Sequence, residues 1–563
     1  MLDTRLRRPF ACGGPAFAGL LLALACLLAR PGVVRAQWPA PNIGLPVCTA
    51  IGTQSYQTAI SDGAGGMFVA WSDTRFILSD IYVQHVSASG AILWRVDGTL
   101  GCGAANRQNQ PVLVSDGAGG IVIAWRDFRY DTDGDIFAQR IGPTGTALWT
   151  ANGVAVCLDI AQQTTPVITM DSGGGSPMGF VIAWEDDRAA PRIYAQRLDA
   201  AGTALWAPDG VPATTSFAAE FEPTIVPAGP FGVIVAWSQQ GGTSYDIYAQ
   251  NLGHEGQPLW DPAGHPICTA AGNQYRPTAV SDSASGAWFT WQDDRAASVA
   301  VYAQRVALPG FFVLTGDGVP VCTFNADQLA AAAVADGRGG LIVAWGDARV
   351  RSDIYAQRLD PAGARLWPAS GKIVCNGVGT HAFPTIAADG LGGALVAWED
   401  DRSGGADIYA QRMDSLGVPR WTPGGIGACT APASQYQPTV VSSPDTVGIV
   451  IWVDLRGESD LYCQRIPLVA AAPRAIVPMV ASPNPAIEQS SLEFALSRAE
   501  LNVYDTAGRR VRTLANTTLD AGAQRVPWDE RDDSGRACAE GVYFARLTVN
   551  GRAFAMRTIT ILR

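Results

Sequence analysis

The stretch GGALVAWEDDRSGGADIYAQRMDSLG, residues 392–417, has close copies along the chain, and these copies predict the fold. Aligned on their tryptophan, the copies are centred on Trp71, Trp125, Trp184, Trp237, Trp291, Trp345, Trp398 and Trp452. Successive tryptophans are 54, 59, 53, 54, 54, 53 and 54 residues apart, and the longest interval contains an insertion at residues 172–179. Self-similarity at such a period is typical of propellers, solenoids and arrays.

Each copy predicts four short strands joined by tight turns. In the copy quoted above, strands are expected at residues 384–388, 394–398 and 407–412, with a fourth segment at 421–429. Glycines in the turn at 389–393 supply the positive φ that a tight hairpin requires. Repeating such a sheet radially leaves few open sheet edges. The sequence therefore predicts an all-β fold, an eight-bladed β-propeller over residues 37–466.

The two ends of the array carry complementary parts of one copy. Residues 38–48, WPAPNIGLPVC, form a Trp-to-Cys segment ahead of the first copy, and the last copy stops after its third strand at Ile466. We expect this N-terminal strand to complete the eighth blade and close the ring. If each Trp-to-Cys segment instead leads its own blade, an open solenoid of eight units is the alternative.

The motif Trp-x-Asp-x-Arg occurs in seven of the eight copies. Its pairs are Asp73/Arg75, Asp127/Arg129, Asp186/Arg188, Asp293/Arg295, Asp347/Arg349, Asp400/Arg402 and Asp454/Arg456. The fourth copy lacks both residues, as expected of an ion pair, because removing one partner of a buried pair leaves a costly unpaired charge. A group repeated in seven blades is interpreted as architecture. A glutamine that recurs on the third strand, from Gln84 to Gln464, is interpreted as a hydrogen bond between blades.

Seven cysteines stand at the ends of the fourth segments. They are predicted to be buried thiols, because equivalent positions on separate blades lie too far apart for a disulfide. Cys463 lies on the last third strand, beside the segment that carries Cys48. Whether Cys48 and Cys463 are bridged stays open.

The first 36 residues carry a basic run, an apolar stretch from Ala16 to Ala29 and a small-residue cleavage site ahead of Gln37. This pattern predicts a signal peptide at 1–36 and an extracytoplasmic protein, secreted or associated with the cell surface. A membrane span is not expected, because a spanning helix needs roughly 20 apolar residues. The net charge of −11 disfavours nucleic acid as a partner. We expect a monomer.

In four copies an aromatic residue stands two positions before the Pro or Thr of the first strand: Tyr56, Phe221, Tyr275 and Tyr436. On a propeller these rings are expected on one face near the axis, where they could stack on a glycan or contact a surface protein. Packing within the turns is the alternative.

Alternating carboxylates at Asp131, Asp133 and Asp135 make a candidate calcium site. An EF-hand would need Glu where Gly142 stands, so a solvated acidic turn is the alternative. No other metal and no cofactor is expected.

After a predicted linker at 467–481, residues 482–563 contain SPNP at 482–485, LNVYDTAG at 501–508, WDERD at 528–532 and GVYFARL at 541–547. These motifs resemble the FlgD-type immunoglobulin-like domain and are similar to the C-terminal sorting domains of type IX secretion. The resemblance implies a small β-sandwich that serves in surface attachment or export. Glu530 stands where the family usually has Gly. The repeats themselves resemble the DIYAQR propeller repeats of bacterial secreted proteins, which leaves the ligand unidentified.

The sequence thus favours a non-catalytic binding or adhesion module, with no catalytic residue assigned. The alternative is a propeller hydrolase or lyase acting on polysaccharide, which would require carboxylates in unrepeated positions at one mouth of the ring. Glu220, Glu222 and Asp159 are the candidates for that role. A passive surface spacer is a further alternative.

Overall fold

The computed structural model describes residues 38–39, 43–171, 179–188, 190–443, 447–467, 480–482, 490–495, 499–517, 523–549 and 552–561. The predicted signal peptide and most of the predicted linker lie outside these ranges. Within them the structure is built of β-strands, apart from one short 3-10 turn at Gly229–Phe231. These ranges contain no helix with the length and apolar character needed to cross a membrane.

Eight antiparallel sheets, here called blades 1 to 8, follow one another through the described part of the repeat region. Blade 1 contains β2 (Gln54–Ser61), β3 (Met67–Phe76), β4 (Leu78–Val86) and β5 (Thr99–Cys102), and blade 2 contains β6 (Gln108–Ser115), β7 (Ile121–Asp127), β8 (Asp135–Ile141) and β9 (Val154–Cys157). Blade 3 contains β10 (Gln163–Asp171), β11 (Gly179–Asp186), β12 (Arg192–Asp199) and β13 (Val211–Pro212), and blade 4 contains β14 (Glu220–Pro227), β15 (Val233–Gly241), β16 (Ser244–Leu252) and β17 (His265–Cys268). Blade 5 contains β18 (Gln274–Ser281), β19 (Ala287–Asp293), β20 (Ala300–Ala307), β21 (Phe311–Phe312) and β22 (Val319–Pro320), and blade 6 contains β23 (Gln328–Ala335), β24 (Leu341–Asp347), β25 (Asp353–Leu359) and β26 (Lys372–Cys375). Blade 7 contains β27 (His381–Ala388), β28 (Ala394–Asp400), β29 (Asp407–Met413) and β30 (Ile426–Cys429), and blade 8 contains β31 (Gln435–Ser443), β32 (Val447–Asp454), β33 (Asp460–Pro467) and the N-terminal β1 (Leu45–Cys48).

The N-terminal strand β1 completes blade 8 by pairing antiparallel with β33, where Leu45 lies opposite Cys463. This pairing joins the two ends of the repeat region. The first strand of each blade contacts the first strands of both neighbouring blades, and β2 contacts β31 across the closure. The first strands therefore surround the axis of a closed ring, and the predicted all-β propeller fold is confirmed.

The apolar core lies between neighbouring blades. At the closure, Val69 and Trp71 of blade 1 share one buried cluster with Ile449 and Ile451 of blade 8. The eight repeated tryptophans are 0–1% exposed. Burying a tryptophan removes about 150–250 Å² from water, which is worth at most about 4–6 kcal/mol. The repeat thus places its largest side chain where two blades meet.

The seven Asp–Arg pairs form ion pairs with shortest distances of 2.5–2.7 Å. In blade 1, Arg75 Nε donates to Asp73 Oδ1 at 2.9 Å, and the Trp71 indole donates to Oδ2 at 2.9 Å. Arg75 Nη2 also donates to Cys48 Sγ, on the outer strand of blade 8, at 3.2 Å. The pair therefore connects each of the seven blades that contain it to the blade before it. In blade 4, Gln239 replaces the aspartate and accepts from the Trp237 indole at 3.3 Å.

The repeated glutamine does not bridge blades as expected. Gln84 Nε2 donates to the Arg95 carbonyl at 2.6 Å, and its Oε1 accepts from the Trp94 N–H at 3.2 Å, all within blade 1. The segment after the third strand folds back against the glutamine and uses its hydrogen bonds. The bond between blades comes instead from the Trp94 indole, which donates to the Pro143 carbonyl of blade 2 at 3.0 Å.

The fourth strands are shorter than the predicted segments. β30 begins at Ile426 and not at residue 421, because Pro423, Gly424 and Gly425 hold a turn before it. The Cys48 and Cys463 thiols are both free and buried. The register explains this, since Leu461 lies opposite Cys48.

The described C-terminal residues form two small sheets. One contains β34 (Val480–Ser482), β35 (Ser490–Ala495) and β38 (Ala523–Trp528); the other contains β36 (Ala499–Tyr504), β37 (Arg510–Thr517), β39 (Gly541–Val549) and β40 (Arg552–Ile561). Trp528 is buried and meets Tyr543 edge to face at 5.4 Å between ring centroids. Glu530 has φ +56°, a conformation that glycine adopts freely, which explains why glycine is usual at this position.

Candidate functional site

Each first strand has a bulge near its start, and the bulge presents one side chain per blade at the centre of the ring. In blade 4, Phe221 pairs with Ser238 and Thr224 with Ala236, so that Glu222 lies in the bulge. Bulges re-aim side chains and are common next to active sites. The bulge residue has positive φ in every described blade: Tyr56, Gln110, Thr165, Glu222, Arg276, Ala330, Phe383 and Gln437. Positive φ is uncommon for residues other than glycine, so the fold imposes this conformation at a position of varied chemistry.

A second set of side chains comes from the end of each second strand, at the x position of Trp-x-Asp-x-Arg. Its members are Ser72, Arg126, Glu185, Ser238, Gln292, Gly346, Glu399 and Val453. Each lies opposite the residue that precedes the bulge, as Glu185 lies opposite Thr164. The x position changes from blade to blade while the motif around it repeats. That contrast is the signal in the sequence that could have identified these residues as candidates.

These two positions bring Glu185 of blade 3 and Glu222 of blade 4 together. The Glu222 backbone N–H donates to Glu185 Oε1 at 2.7 Å, although the residues are 37 positions apart in the sequence. The Glu222 carboxylate accepts from the Arg276 backbone N–H at 2.7 Å and from Ser238 Oγ at 3.0 Å. Each carboxylate is therefore oriented by the bulge N–H of the following blade.

Burial raises the pKa of Glu185, and the nearby Glu222 carboxylate acts in the same direction. Glu185 is half-buried, as is Glu222. A carboxyl group with a raised pKa near a second, hydrogen-bonded carboxyl group is an arrangement suited to acid–base chemistry on a glycosidic bond.

The pair lines a cavity of about 520 Å³, here called the Glu185 cavity, together with Phe221, Ser238, Tyr245, Asn273 and Tyr275. The rings of Phe221 and Tyr245 meet edge to face with centroids 6.1 Å apart. An opening of about 260 Å³ shares Glu222 and is lined by Arg276 and Gln292. Gln292 is 2% exposed, and its Nε2 has no hydrogen-bond partner among the described residues. The site thus combines aromatic faces with unused polar groups.

The four predicted ligand-binding aromatics do not gather at one site. Phe221 and Tyr275 line the Glu185 cavity. Tyr436 lines a different cavity of about 620 Å³, here called the Glu399 cavity, across the ring in blades 7, 8 and 1. Tyr56 is 55% exposed and occupies the bulge position, whereas the other three precede it. Counting back from the following Pro or Thr therefore aligns Tyr56 with Phe221, Tyr275 and Tyr436, although Tyr56 lies one position later in the strand.

Of the three carboxylates proposed for the enzyme alternative, Glu222 reaches the cavity. Glu220 is 0% exposed and accepts from the Ile193 N–H at 2.9 Å and from Thr214 Oγ1 at 2.7 Å. It occupies the place where most other blades have a buried glutamine, so its role is structural. Asp159 accepts from the Ala161 N–H at 3.1 Å and lies 3.8 Å from Arg188, outside the residues that line the cavity.

The candidate calcium ligands form a turn in which Asp131 Oδ1 accepts from the N–H groups of Asp133 and Gly134 at 2.9 and 2.7 Å. Across the described ranges, the side chains whose possible ligand atoms lie within 4.8 Å of one another are Cys375, His381 and Asp400. There Arg402 binds Asp400 and donates to Cys375 Sγ at 3.1 Å, so a guanidinium already supplies the positive charge. The calcium site at Asp131, Asp133 and Asp135 stays a prediction.

The C-terminal residues 488–552 match the FlgD Ig-like domain, which confirms that resemblance. No curated protein matches the chain in a sequence search.

Solved structures similar to the chain include a PL25 ulvan lyase, with a TM-score of 0.39 and 11% identity over 77% of this chain and 96% of that one. They also include the GH93 α-L-arabinofuranosidase of Fusarium graminearum in complex with arabinobiose, with a TM-score of 0.36 and 10% identity over 76% of this chain and 98% of that one. The type-IX secretion surface component PorZ of Porphyromonas gingivalis gives a TM-score of 0.29 and 12% identity over 92% of this chain and 75% of that one.

The prediction of a non-catalytic binding or adhesion module is wrong as the main interpretation, and so is the prediction that the chain is not an enzyme. Several of the similar structures carry the names of carbohydrate-active enzymes: an α-L-arabinofuranosidase, an α-L-arabinanase and an ulvan lyase. The described ring also contains the unrepeated carboxylates that the polysaccharide-acting alternative requires. The error arose because Glu185 looks like part of a repeated motif in the sequence and meets Glu222 only across two blades.

Proposed function

We propose that the protein hydrolyses a glycosidic bond of a polysaccharide in the Glu185 cavity. Glu185 acts as the general acid, and Glu222 acts as the base or nucleophile. The observation that carries this proposal is that two glutamates on neighbouring blades, Glu185 and Glu222, line one cavity, where the Glu222 backbone N–H donates to Glu185 Oε1 at 2.7 Å.

A catalytic centre needs a unique arrangement within a repeat protein, and this pair meets that requirement. Among the described blades, glutamate occupies the x position in blade 3 (Glu185) and in blade 7 (Glu399). The bulge of the following blade carries a second glutamate, Glu222, only after Glu185, whereas Gln437 follows Glu399. Blade 4 also departs most from the repeat, since Gln239 and Gly241 replace the Asp and Arg. Local departures from a consistent pattern are expected at functional sites.

The chemistry assigned to each side chain follows from its surroundings. The raised pKa of Glu185 favours its protonated form, which can supply a proton to the leaving-group oxygen. Glu222 is held by Ser238 Oγ and the Arg276 N–H, which fix its carboxylate for attack on the sugar or on a water molecule. Phe221, Tyr245 and Tyr275 offer ring faces on which a sugar can stack.

A lyase acting on an acidic polysaccharide is the second candidate, and Arg276 favours it. Its side chain is exposed and lines the opening that shares Glu222, where a cation could neutralise a uronate carboxylate. Cleavage by elimination would leave an unsaturated uronate, which hydrolysis does not.

The remaining parts of the chain support an extracytoplasmic enzyme. Residues 1–36 would direct export, and the FlgD-type domain would serve in sorting by type IX secretion or in attachment at the surface. The DIYAQR-type repeats would supply the rigid scaffold for the site.

The test uses the mature chain from Gln37 on neutral and uronate-containing polysaccharides, with reducing ends and ultraviolet absorbance of unsaturated products measured together. Glu185→Gln and Glu222→Gln should each lower the rate about 10²- to 10⁴-fold. Glu255→Gln, on an exposed turn of blade 4, is the matched control. Turnover that survives both carboxamide variants would overturn the assignment. If the products are unsaturated and the two variants no longer form them, the reaction is elimination and the protein is a lyase.

A further inference from the structure

The Glu399 cavity repeats the backbone geometry of the Glu185 cavity on the opposite side of the ring. The Gln437 N–H donates to Glu399 Oε1 at 2.7 Å, the same distance that joins Glu222 to Glu185. Glu399 occupies the x position of blade 7, and Gln437 occupies the bulge of blade 8. The two cavities are therefore copies of one another, four blades apart.

The copies differ in the second acidic group. Gln437 supplies an amide where Glu222 supplies a carboxylate. An amide donates and accepts hydrogen bonds but neither abstracts a proton nor attacks a sugar. The Glu399 cavity can thus hold a ligand, but it lacks the pair needed for the two-carboxylate reaction.

The walls of the Glu399 cavity suit a sugar. Phe383 is 62% exposed and Tyr436 is 37% exposed, so two aromatic rings face solvent beside hydrogen-bonding groups. An exposed aromatic ring offers an apolar face on which a sugar can stack. Ser55 and the exposed Gln437 line the same cavity and can bond to hydroxyl groups.

The charge of the lining selects between sugar classes. No lysine, arginine or histidine is among the described residues that line the Glu399 cavity, and Glu399 is the acidic one. A uronate or sulfate group would gain no cation there and would face a carboxylate. A neutral sugar meets no such penalty.

We propose that the Glu399 cavity is a second glycan-binding site, without catalysis, that takes a neutral segment of a polysaccharide. It stands on its own geometry and does not require turnover at Glu185. Two sites on opposite sides of one ring would hold two segments of a polymer and raise its effective concentration at the enzyme.

The experiment measures calorimetric binding of xylopentaose, mannopentaose, cellopentaose and a galacturonate pentasaccharide to the mature Glu185→Gln protein, in which the proposed turnover is suppressed. At least one neutral oligosaccharide should bind in the Glu399 cavity, and it should occupy two sites per chain where the Glu185 cavity takes the same sugar. Adding Tyr436→Ala or Phe383→Ala should abolish one site or weaken it at least tenfold. Phe311→Ala removes a ring that is 70% exposed on β21, away from both cavities, and should change nothing.

Absence of neutral-oligosaccharide binding, equal binding by the Tyr436 and Phe383 variants, or tighter binding of the galacturonate probe would each overturn the second site. Turnover by the unmodified protein is measured separately on the polymers. Binding that depends on Tyr436 without any turnover would leave the second site standing and remove the proposed hydrolysis.

Discussion

The backbone N–H of Glu222 donates to Oε1 of Glu185 at 2.7 Å, and this bond joins two blades at the centre of the ring. The donor lies in a bulge with φ +58°, so the strained backbone directs its N–H to the preceding blade. A residue that positions a neighbouring carboxyl group through its backbone can carry a second carboxyl on its side chain. The bulge thus explains how a structural repeat acquires a pair of acidic groups.

The pH dependence of kcat should reflect Glu185. As the proposed general acid, Glu185 must be protonated, and burial raises its pKa. Activity should therefore fall as pH rises through a value above the ordinary glutamate range of about 4.3. Measuring kcat from pH 3 to 9 would locate this limb. If the residual activity of Glu185→Gln falls with rising pH in the same way, the fall belongs to the titration of another group.

Tyr275→Ala should weaken substrate binding more than it slows the chemistry. Tyr275 lines the Glu185 cavity without contacting either carboxyl group through a described hydrogen bond. Losing a stacking ring worth about 1.4 kcal/mol would raise KM about tenfold. Steady-state kinetics on one polymer would separate the two parameters. A fall in kcat with unchanged KM would contradict a binding role.

Asp135→Asn should stabilise the protein at alkaline pH. Burial raises the pKa of Asp135 to about 7 from the ordinary 3.8, with the Asp131 and Asp127 carboxylates acting in the same direction. The stability contributed by the neutral form is present below about pH 4 and is lost as pH rises through 7. The unfolding temperature of the variant should exceed that of the parent by a few degrees at pH 8, and the gap should narrow at pH 4. Asp133→Asn, on an exposed side chain, is the control.

The same melting curves test calcium. If Asp131, Asp133 and Asp135 bind the ion, calcium should raise the unfolding temperature of the parent at pH 8 and have less effect on Asp135→Asn. Identical curves with calcium and with chelator would remove this site.

The Asp–Arg pairs should be costly to break on one side. Arg349→Met leaves the Asp347 carboxylate, 1% exposed, without its cation, at a cost of about 3–5 kcal/mol. The double variant Asp347→Gln/Arg349→Gly copies blade 4 and should lose less. Urea unfolding of the two variants would decide, and an equal or larger loss in the double variant would contradict the interpretation.

The thiols of the folded ring should be unreactive. Burial raises the pKa of Cys48, Cys102 and Cys157 to about 12, and these thiols, like those of Cys268, Cys322, Cys375 and Cys463, are buried and free. A thiol reagent at pH 8 should modify none of these seven thiols before unfolding and all of them afterwards, without reductant. Peptide mapping that finds Cys48 and Cys463 protected after unfolding would reveal a bridge.

Regular features of the fold could be predicted because each copy reports the same local physics. Alternating apolar strands, glycine turns and the joint loss of Asp and Arg in copy four indicate a repeated sheet without knowledge of its neighbours. Tyr56 was misplaced by one residue because the bulge changes the register inside the strand, and spacing to the next Pro or Thr does not record it. The repeated glutamine was misassigned because its partners lie on a returning segment of its own blade.

The propeller of repeated antiparallel sheets, the buried tryptophans, the paired Asp and Arg and the FlgD-type domain could be predicted from the sequence, since they depend on periodicity and on contacts within a copy. The contact of Glu185 with Glu222 and that of Glu399 with Gln437 became visible in the folded ring. Those contacts cross from one blade to the next over 37 and 38 residues and depend on the bulge that turns the backbone N–H. A site made between copies is not visible in any one of them.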